Sequence, residues 1–108
     1  MEAYKVIKPA NLQELDAALR TNPLGSKFPI VFEENFDNND IAKKRGDVPK
    51  KREATFSAVS IDVDNSSEND RIILAIGKVA TKNNDVFTGR IYASEKGDNN
   101  NFPELLLV

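Results

Sequence analysis

The chain contains no cysteine and no histidine among its 108 residues. The absence of cysteine excludes disulfides and thiolate nucleophiles, and the absence of both residue types excludes zinc sites built from them. Without histidine, the chain also lacks the commonest general acid and base near neutral pH. We therefore expect a protein that is not an enzyme and that carries no cofactor.

Long apolar runs are absent as well, because no segment approaches the roughly 20 residues that a membrane helix requires. The first residues do not show the charged-then-apolar layout of a signal peptide. We therefore expect a cytoplasmic protein with no membrane partner. The length fits one domain over residues 1–108, and 40% hydrophobic with 30% charged residues is typical of a folded domain rather than a disordered chain.

Apolar periodicity near the start of the chain predicts a strand followed by a short helix. Tyr4–Lys8 forms the predicted strand. Asn11 can cap the helix, with Glu14 three residues later as in a capping box. The helix should end near Asn22, because a residue that precedes proline resists helical backbone angles. Three leucines recur at helical spacing and predict a face that packs on a sheet: Leu12, Leu15 and Leu19.

The remaining apolar segments alternate in the way that strands do. Phe28–Phe32 is one such strand, and its Pro29 predicts an edge strand or a proline at the open side of a ladder. Three further runs with short polar connections predict an antiparallel meander: Glu53–Val63, Arg71–Thr81 and Val86–Ser94. Within them, Gly77 and Gly89 predict bulges or a close approach of two backbones.

The C-terminal segment Phe102–Val108 is apolar and requires burial, either as a final strand or on a partner protein. The predicted order is therefore β-α-β-β-β(-β). This order is typical of an α+β fold, with one short helix packed on a mainly antiparallel sheet of four to five strands.

Charge is strongly segregated along the chain, with a net charge of −3 over residues 1–42, +5 over 43–52 and −4 over 53–108. The apolar content falls at about 34–53, which predicts a long polar and basic loop, and loops of this length are often functional. Six cations of this loop are the predicted nucleic-acid-binding residues: Lys43, Lys44, Arg45, Lys50, Lys51 and Arg52. Cations that neutralise phosphates release counterions, so a loop of this kind favours DNA or RNA as the partner.

Aromatic side chains that could stack on bases are Phe36, Phe56, Phe87 and Tyr92. We therefore predict a small binding module associated with nucleic acid. The alternative is a protein-interaction or inhibitor module that uses an edge strand and the apolar segment Phe102–Val108, with oligomerisation through the same segment.

A second polar cluster contains four carboxylates that could hold a divalent cation: Asp62, Asp64, Glu68 and Asp70. The spacing departs from a calcium-binding loop, because Ser67 occupies the position of the required glycine. Asp, Asn and Ser dominate turns for local hydrogen-bonding reasons, so a polar hairpin turn is the favoured interpretation and no metal site is predicted.

Overall fold

A computed structural model of the chain describes residues 2–34, 40–67, 70–94 and 103–108. These residues form six strands and two helices. In chain order they are β1 Glu2–Lys8, α1 Leu12–Thr21, β2 Lys27–Glu34, α2 Asp40–Arg45, β3 Lys51–Ser67, β4 Asp70–Thr81, β5 Val86–Ser94 and β6 Glu104–Leu107. Neither helix in these ranges is long and apolar enough to cross a membrane.

The six strands close into an antiparallel barrel in which each strand pairs with the next along the chain. The barrel closes where β6 pairs with β1, from Glu2 opposite Leu107 to Lys5 opposite Glu104. The predicted α+β fold, with a helix on an open sheet of four to five strands, is therefore wrong. An open sheet and a barrel both bury one face of each strand, so the same alternation of apolar residues is compatible with either architecture.

The helix α1 connects the end of β1 to the start of β2, and its apolar face contributes to the barrel core. The predicted N-cap is confirmed, because Asn11 Oδ1 accepts a hydrogen bond from the Glu14 N–H at 2.9 Å, whereas the reciprocal bond of a capping box goes to Ala10 instead of Asn11. Glu14 in turn accepts a hydrogen bond from the Ala10 N–H. Leu15 and Leu19 are buried in the same core as the strand residues, as predicted for this face, and the side chain of Leu12 is not among those described.

Apolar side chains fill the interior of the barrel. Phe28, Ile30 and Phe32 alternate into the core, as predicted. The following interior residues are at most 1% exposed: Val6, Ile30, Phe32, Phe56, Ala75, Val79, Ile91 and Leu105. Side chains commonly fill the interior of small barrels in this way, and for the part of the barrel that the structure describes we therefore expect a binding site on the outer surface.

Two glycines lie opposite each other on adjacent strands of this barrel, Gly77 on β4 and Gly89 on β5. A Cβ atom added to Gly77 would lie 2.3 Å from the backbone oxygen of Ser57 and 2.8 Å from the ring of Phe56. Both predicted features occur here: the backbone of β3 approaches Gly77 closely, and a register shift in β3 between Ala58 and Ser60 lies next to the Ala58–Gly77 pair. The missing side chain gives Phe56 the space that it fills in the core.

The C-terminal segment forms the last strand of the barrel. Leu105 is buried, and the Val6 N–H donates a hydrogen bond to the Pro103 carbonyl at 2.7 Å. Phe102 lies outside the described residues. The paired register of β1 with β2 ends at Lys8 opposite Val31, so Pro29 pairs with β3 alone and lies at an open side of its ladder.

Tyr92 on β5 and Glu104 on β6 form a cross-strand pair on the outer surface of the barrel. The Tyr92 hydroxyl donates to Glu104 Oε2 at 2.5 Å, and this bond raises the pKa of Tyr92 from 10.0 to about 12. Because the pKa of Tyr92 is higher in the folded state, its hydrogen bond stabilises the fold fully below pH 10.0. That stabilisation is lost as the pH rises through about 12. We expect Tyr92→Phe to lower the free energy of unfolding below pH 10.0, with a difference from wild type that shrinks toward pH 12. Urea denaturation of both proteins across this range measures that difference, and one that stays constant with pH would show that the hydrogen bond does not shift the titration.

Candidate nucleic-acid interface

The structure divides the predicted basic loop between a helix and a strand. Lys43, Lys44 and Arg45 form the last turn of α2. Cations are favourable at this position because the helix dipole is negative at the carboxyl end. Lys51 and Arg52 begin β3, and Lys50 precedes them; all six cations are exposed. The segment at 34–53 thus contains α2 and the start of β3, and its residues 35–39 lie outside the described ranges.

Hydrogen bonds fix the turn that separates the two groups of cations. The Asp47 N–H donates to the Ala42 carbonyl at 3.0 Å and the Gly46 N–H to the Lys43 carbonyl at 3.1 Å. Gly46 has a φ of 71°, the left-handed conformation that ends many helices. Arg45 lies 3.6 Å from Asp47, and both side chains are exposed, so this ion pair contributes little stability.

Lys51 and Arg52 line a groove on the outside of the barrel, across β2, β3 and β4. Two adjoining concavities form this groove, and they share Lys8, Val31, Glu53, Thr81 and Lys82. Five cations line it, and we call the surface that they form the basic groove: Lys8, Lys27, Lys51, Arg52 and Lys82. Glu53 is the one carboxylate among the residues that line the two concavities.

A break in strand register brings Lys8 into the basic groove. Val6 pairs with Phe32, but Lys8 pairs with Val31, so β1 has one extra residue between these pairs. Regular alternation from the buried Val6 would place Lys8 on the interior face. The bulge instead aligns it with Val31, on the outer face of β2, and leaves the Lys8 side chain exposed.

Glu53 lies among the cations and forms an ion pair with Lys82. The hydrogen bond from Lys82 and its positive charge lower the pKa of Glu53, and the charge of Lys8 acts in the same direction. Both partners of the ion pair are largely exposed, at 77% for Lys82 and 61% for Glu53, so an incoming anion can compete for Lys82. Glu53 therefore offsets part of the positive charge of the basic groove.

Sequence reasoning missed three of the five cations, Lys8, Lys27 and Lys82. The position of Lys82 could have been inferred from the sequence, because a meander of β3, β4 and β5 places the β4–β5 turn beside the start of β3. The positions of Lys8 and Lys27 could not, because they depend on the bulge in β1 and on the register of β2 with its neighbours.

Of the four aromatic side chains predicted to stack on bases, the three that the structure describes do not line the basic groove. Phe56 is fully buried in the core, and Phe87 is 40% exposed on β5. Tyr92 is partly buried, and its hydroxyl is bonded to Glu104. Phe36 lies outside the described residues.

Among the side chains that the structure describes, no group of three or more His, Cys, Asp or Glu residues could hold a metal ion. All four carboxylates considered in the sequence lie outside that set of side chains. Asp62, Asp64 and Asp70 belong to β3 and β4, but their side chains are not among those described, and Glu68 lies outside the described residues entirely.

Comparison of the chain with protein-family models, with curated proteins and with solved structures finds no match. The basic groove is therefore the basis on which a function can be inferred.

Proposed function

We propose that the protein is a non-enzymatic module that binds nucleic acid, DNA or RNA, through the basic groove. The observation that carries this proposal is the convergence of five cations, contributed by β1, β2, β3 and the β4–β5 turn, around the single carboxylate of Glu53. Lys51 and Arg52 form no ion pair with a carboxylate among the described residues, so their charges are available to a partner.

The groove concentrates positive charge on a chain whose net charge is −2. A local positive surface on an acidic protein directs a polyanion to that surface, because the rest of the molecule repels it. Lys43, Lys44, Arg45 and Lys50 do not line the groove. We assign them a peripheral electrostatic contribution rather than direct contact with the bound strand.

The proposal is tested by measuring the affinity for fluorescent DNA and RNA oligonucleotides as the salt concentration is raised. Four or five phosphate contacts predict that log K falls with log salt with a slope of about −3 to −4.5, because each contact contributes roughly −0.7 to −0.9. Absence of binding at low salt, or binding that salt does not weaken, would contradict the proposal.

The alternative function, a protein-interaction module that uses an edge strand and the segment Phe102–Val108, receives less support from the fold. The strand β6 pairs with β1 on one side and with β5 on the other. The described strands form a closed barrel, so strand addition would require one of these ladders to open. This observation favours the nucleic-acid proposal over the alternative.

The proposal predicts that Glu53→Gln increases the affinity for nucleic acid. The substitution releases Lys82 from its ion pair and removes the one carboxylate of the groove. One additional phosphate contact should steepen the salt slope by about 0.7 to 0.9 and raise affinity several-fold at about 0.1 M salt. Fluorescence anisotropy at several salt concentrations measures both quantities.

The matched control for this prediction is Asp16→Asn. Asp16 forms an ion pair with Arg20 on α1, so the substitution also removes one carboxylate from an ion pair but leaves the basic groove intact. We expect it to leave the salt slope unchanged. An affinity that falls in Glu53→Gln would mean that Glu53 holds Lys82 in its binding position instead of competing with phosphate.

A further inference from the structure

The register of the barrel arranges the outer face of β2 to β5 in rows that run across the strands. Pro29 lies opposite Thr55, Thr55 opposite Ala80, and Ala80 opposite Val86. This row, which we call the uncharged row, contains no ionisable side chain. Pro29 is exposed, Val86 is 60% exposed, and Thr55 and Ala80 are partly exposed, so the row presents apolar surface to solvent.

Cations flank the uncharged row on both sides. The row on one side contains Lys8 opposite Val31, and it ends in the Glu53–Lys82 ion pair. The row on the other side contains Lys27 and Lys78. They lie on β2 and β4, and Ser57 of β3 is paired with both. Residues two apart in a strand are separated by about 6.7 Å, so the two cationic rows lie roughly 13 Å apart with the uncharged row between them.

We infer that this outer face binds a single-stranded nucleic acid that runs across the strands, with its bases on the uncharged row and its phosphates at the flanking cations. The inference rests on the proposed function and specifies its substrate class. Charge complementarity supports it, since four lysines flank a row without charge: Lys8, Lys27, Lys78 and Lys82.

The apolar surface between the cations is the reason for preferring a single strand to a duplex. A duplex presents phosphates and sugars on its outside and keeps its base faces stacked, so it would leave the uncharged row without a partner. A single strand has unstacked base faces that can cover apolar side chains while its backbone follows positive charge. The uncharged row contains no aromatic side chain, so we expect a preference of about tenfold and no dependence on base sequence.

The test compares three wild-type ligands at one salt concentration: a single-stranded oligonucleotide of roughly ten nucleotides, a duplex of the same length, and polyphosphate, which has no bases. Oligothymidylate and oligouridylate serve as separate single-stranded probes and show whether the 2′-hydroxyl matters. The inference requires that at least one single-stranded probe binds more tightly than both the duplex and polyphosphate. Equal or tighter binding of the duplex or of polyphosphate would overturn it and leave the proposed function standing, whereas no binding of any nucleic acid would overturn both.

A gain-of-affinity variant tests the position of the bases. Val86→Tyr adds an aromatic ring at the end of the uncharged row and should raise single-strand affinity at least about fivefold, because stacking on an aromatic side chain contributes substantially for each base. Duplex affinity should not change. The control is Val59→Tyr on β3, since Val59 is 61% exposed and Val86 is 60% exposed, but Val59 lies beyond both cationic rows. If neither variant changes single-strand affinity, or if both raise it equally, the bases do not lie on the uncharged row.

Discussion

Gly77→Ala is expected to destabilise the protein by about 3 kcal/mol or more, the largest effect expected for an alanine substitution among the described glycines. The new Cβ would lie 2.3 Å from the Ser57 backbone oxygen and 2.9 Å from the Ala58 Cα. Backbone atoms of the neighbouring strand cannot rotate away, so β3 and β4 must separate. Separation breaks ladder hydrogen bonds and shifts Phe56, a fully buried side chain. Urea denaturation followed by circular dichroism measures the loss.

Two other glycines supply controls for the cause of this effect. At Gly89 the added Cβ would meet the ends of the Val79 and Leu105 side chains, which can adjust, so Gly89→Ala should cost about 1 to 2 kcal/mol. At Gly46 the Cβ would meet nothing within 4 Å. Gly46→Ala should therefore lower the free energy of unfolding by about 1 kcal/mol, because of the positive φ alone. A Gly77→Ala protein as stable as Gly46→Ala would show that the barrel accommodates a methyl group between β3 and β4.

The double substitution Lys51→Gln with Arg52→Gln is expected to weaken nucleic-acid binding roughly 25- to 60-fold at about 0.1 M salt, with a salt slope shallower by about 1.4 to 1.8. Both residues line the basic groove, and both are exposed at the start of β3. The loss should be similar for different base sequences, because phosphate contacts carry no sequence information. Salt-dependent anisotropy titrations of wild type and variant measure the loss.

Two further variants distinguish the effect of the groove residues from the effect of net charge. Arg20→Gln with Arg90→Gln makes the same change in net charge with exposed cations that do not line the groove, and it should weaken binding less than about threefold. Replacement of Lys43, Lys44 and Arg45 by Gln tests the cations of α2. If the α2 variant loses more affinity than the groove variant, the binding site lies at α2 and the assignment to the groove is wrong.

Local features of the chain were predictable because their causes are local. The N-cap of α1 joins Asn11 and Glu14, which are three residues apart, and the structure shows the predicted hydrogen bond. The alternation of Phe28, Ile30 and Phe32 reports a strand with one buried face, whatever that face packs against. The meander of β3, β4 and β5 was also predictable, because its connections are short and polar.

The closed barrel was not predictable from the same signals. Closure depends on the pairing of β1 with β6, and no local pattern marks two strands so distant in sequence as partners. The glycines on β4 and β5 were recognised as candidates for a close approach, but the approach itself involves Ser57 and Phe56 on a third strand. The number of strands and the packed interior follow from these long-range contacts.

The candidate site likewise combines residues that the sequence indicated with residues that only the fold brings together. The sequence placed six cations within ten positions, and the structure places two of them, Lys51 and Arg52, in the basic groove. Lys8 joins them through the bulge in β1, and Lys27 through the pairing of β2 with β3. Lys82 joins them through the ion pair with Glu53.

The sequence by itself determined which residues are charged, which segments alternate as strands and where the helix α1 begins, because these properties depend on neighbours along the chain. The tertiary structure alone decided that the strands close, which cations share a surface and which uncharged side chains lie between them. The physical reason is register: a shift of one residue between two strands moves a side chain to the opposite face of the sheet, and long-range hydrogen bonding and core packing set that shift.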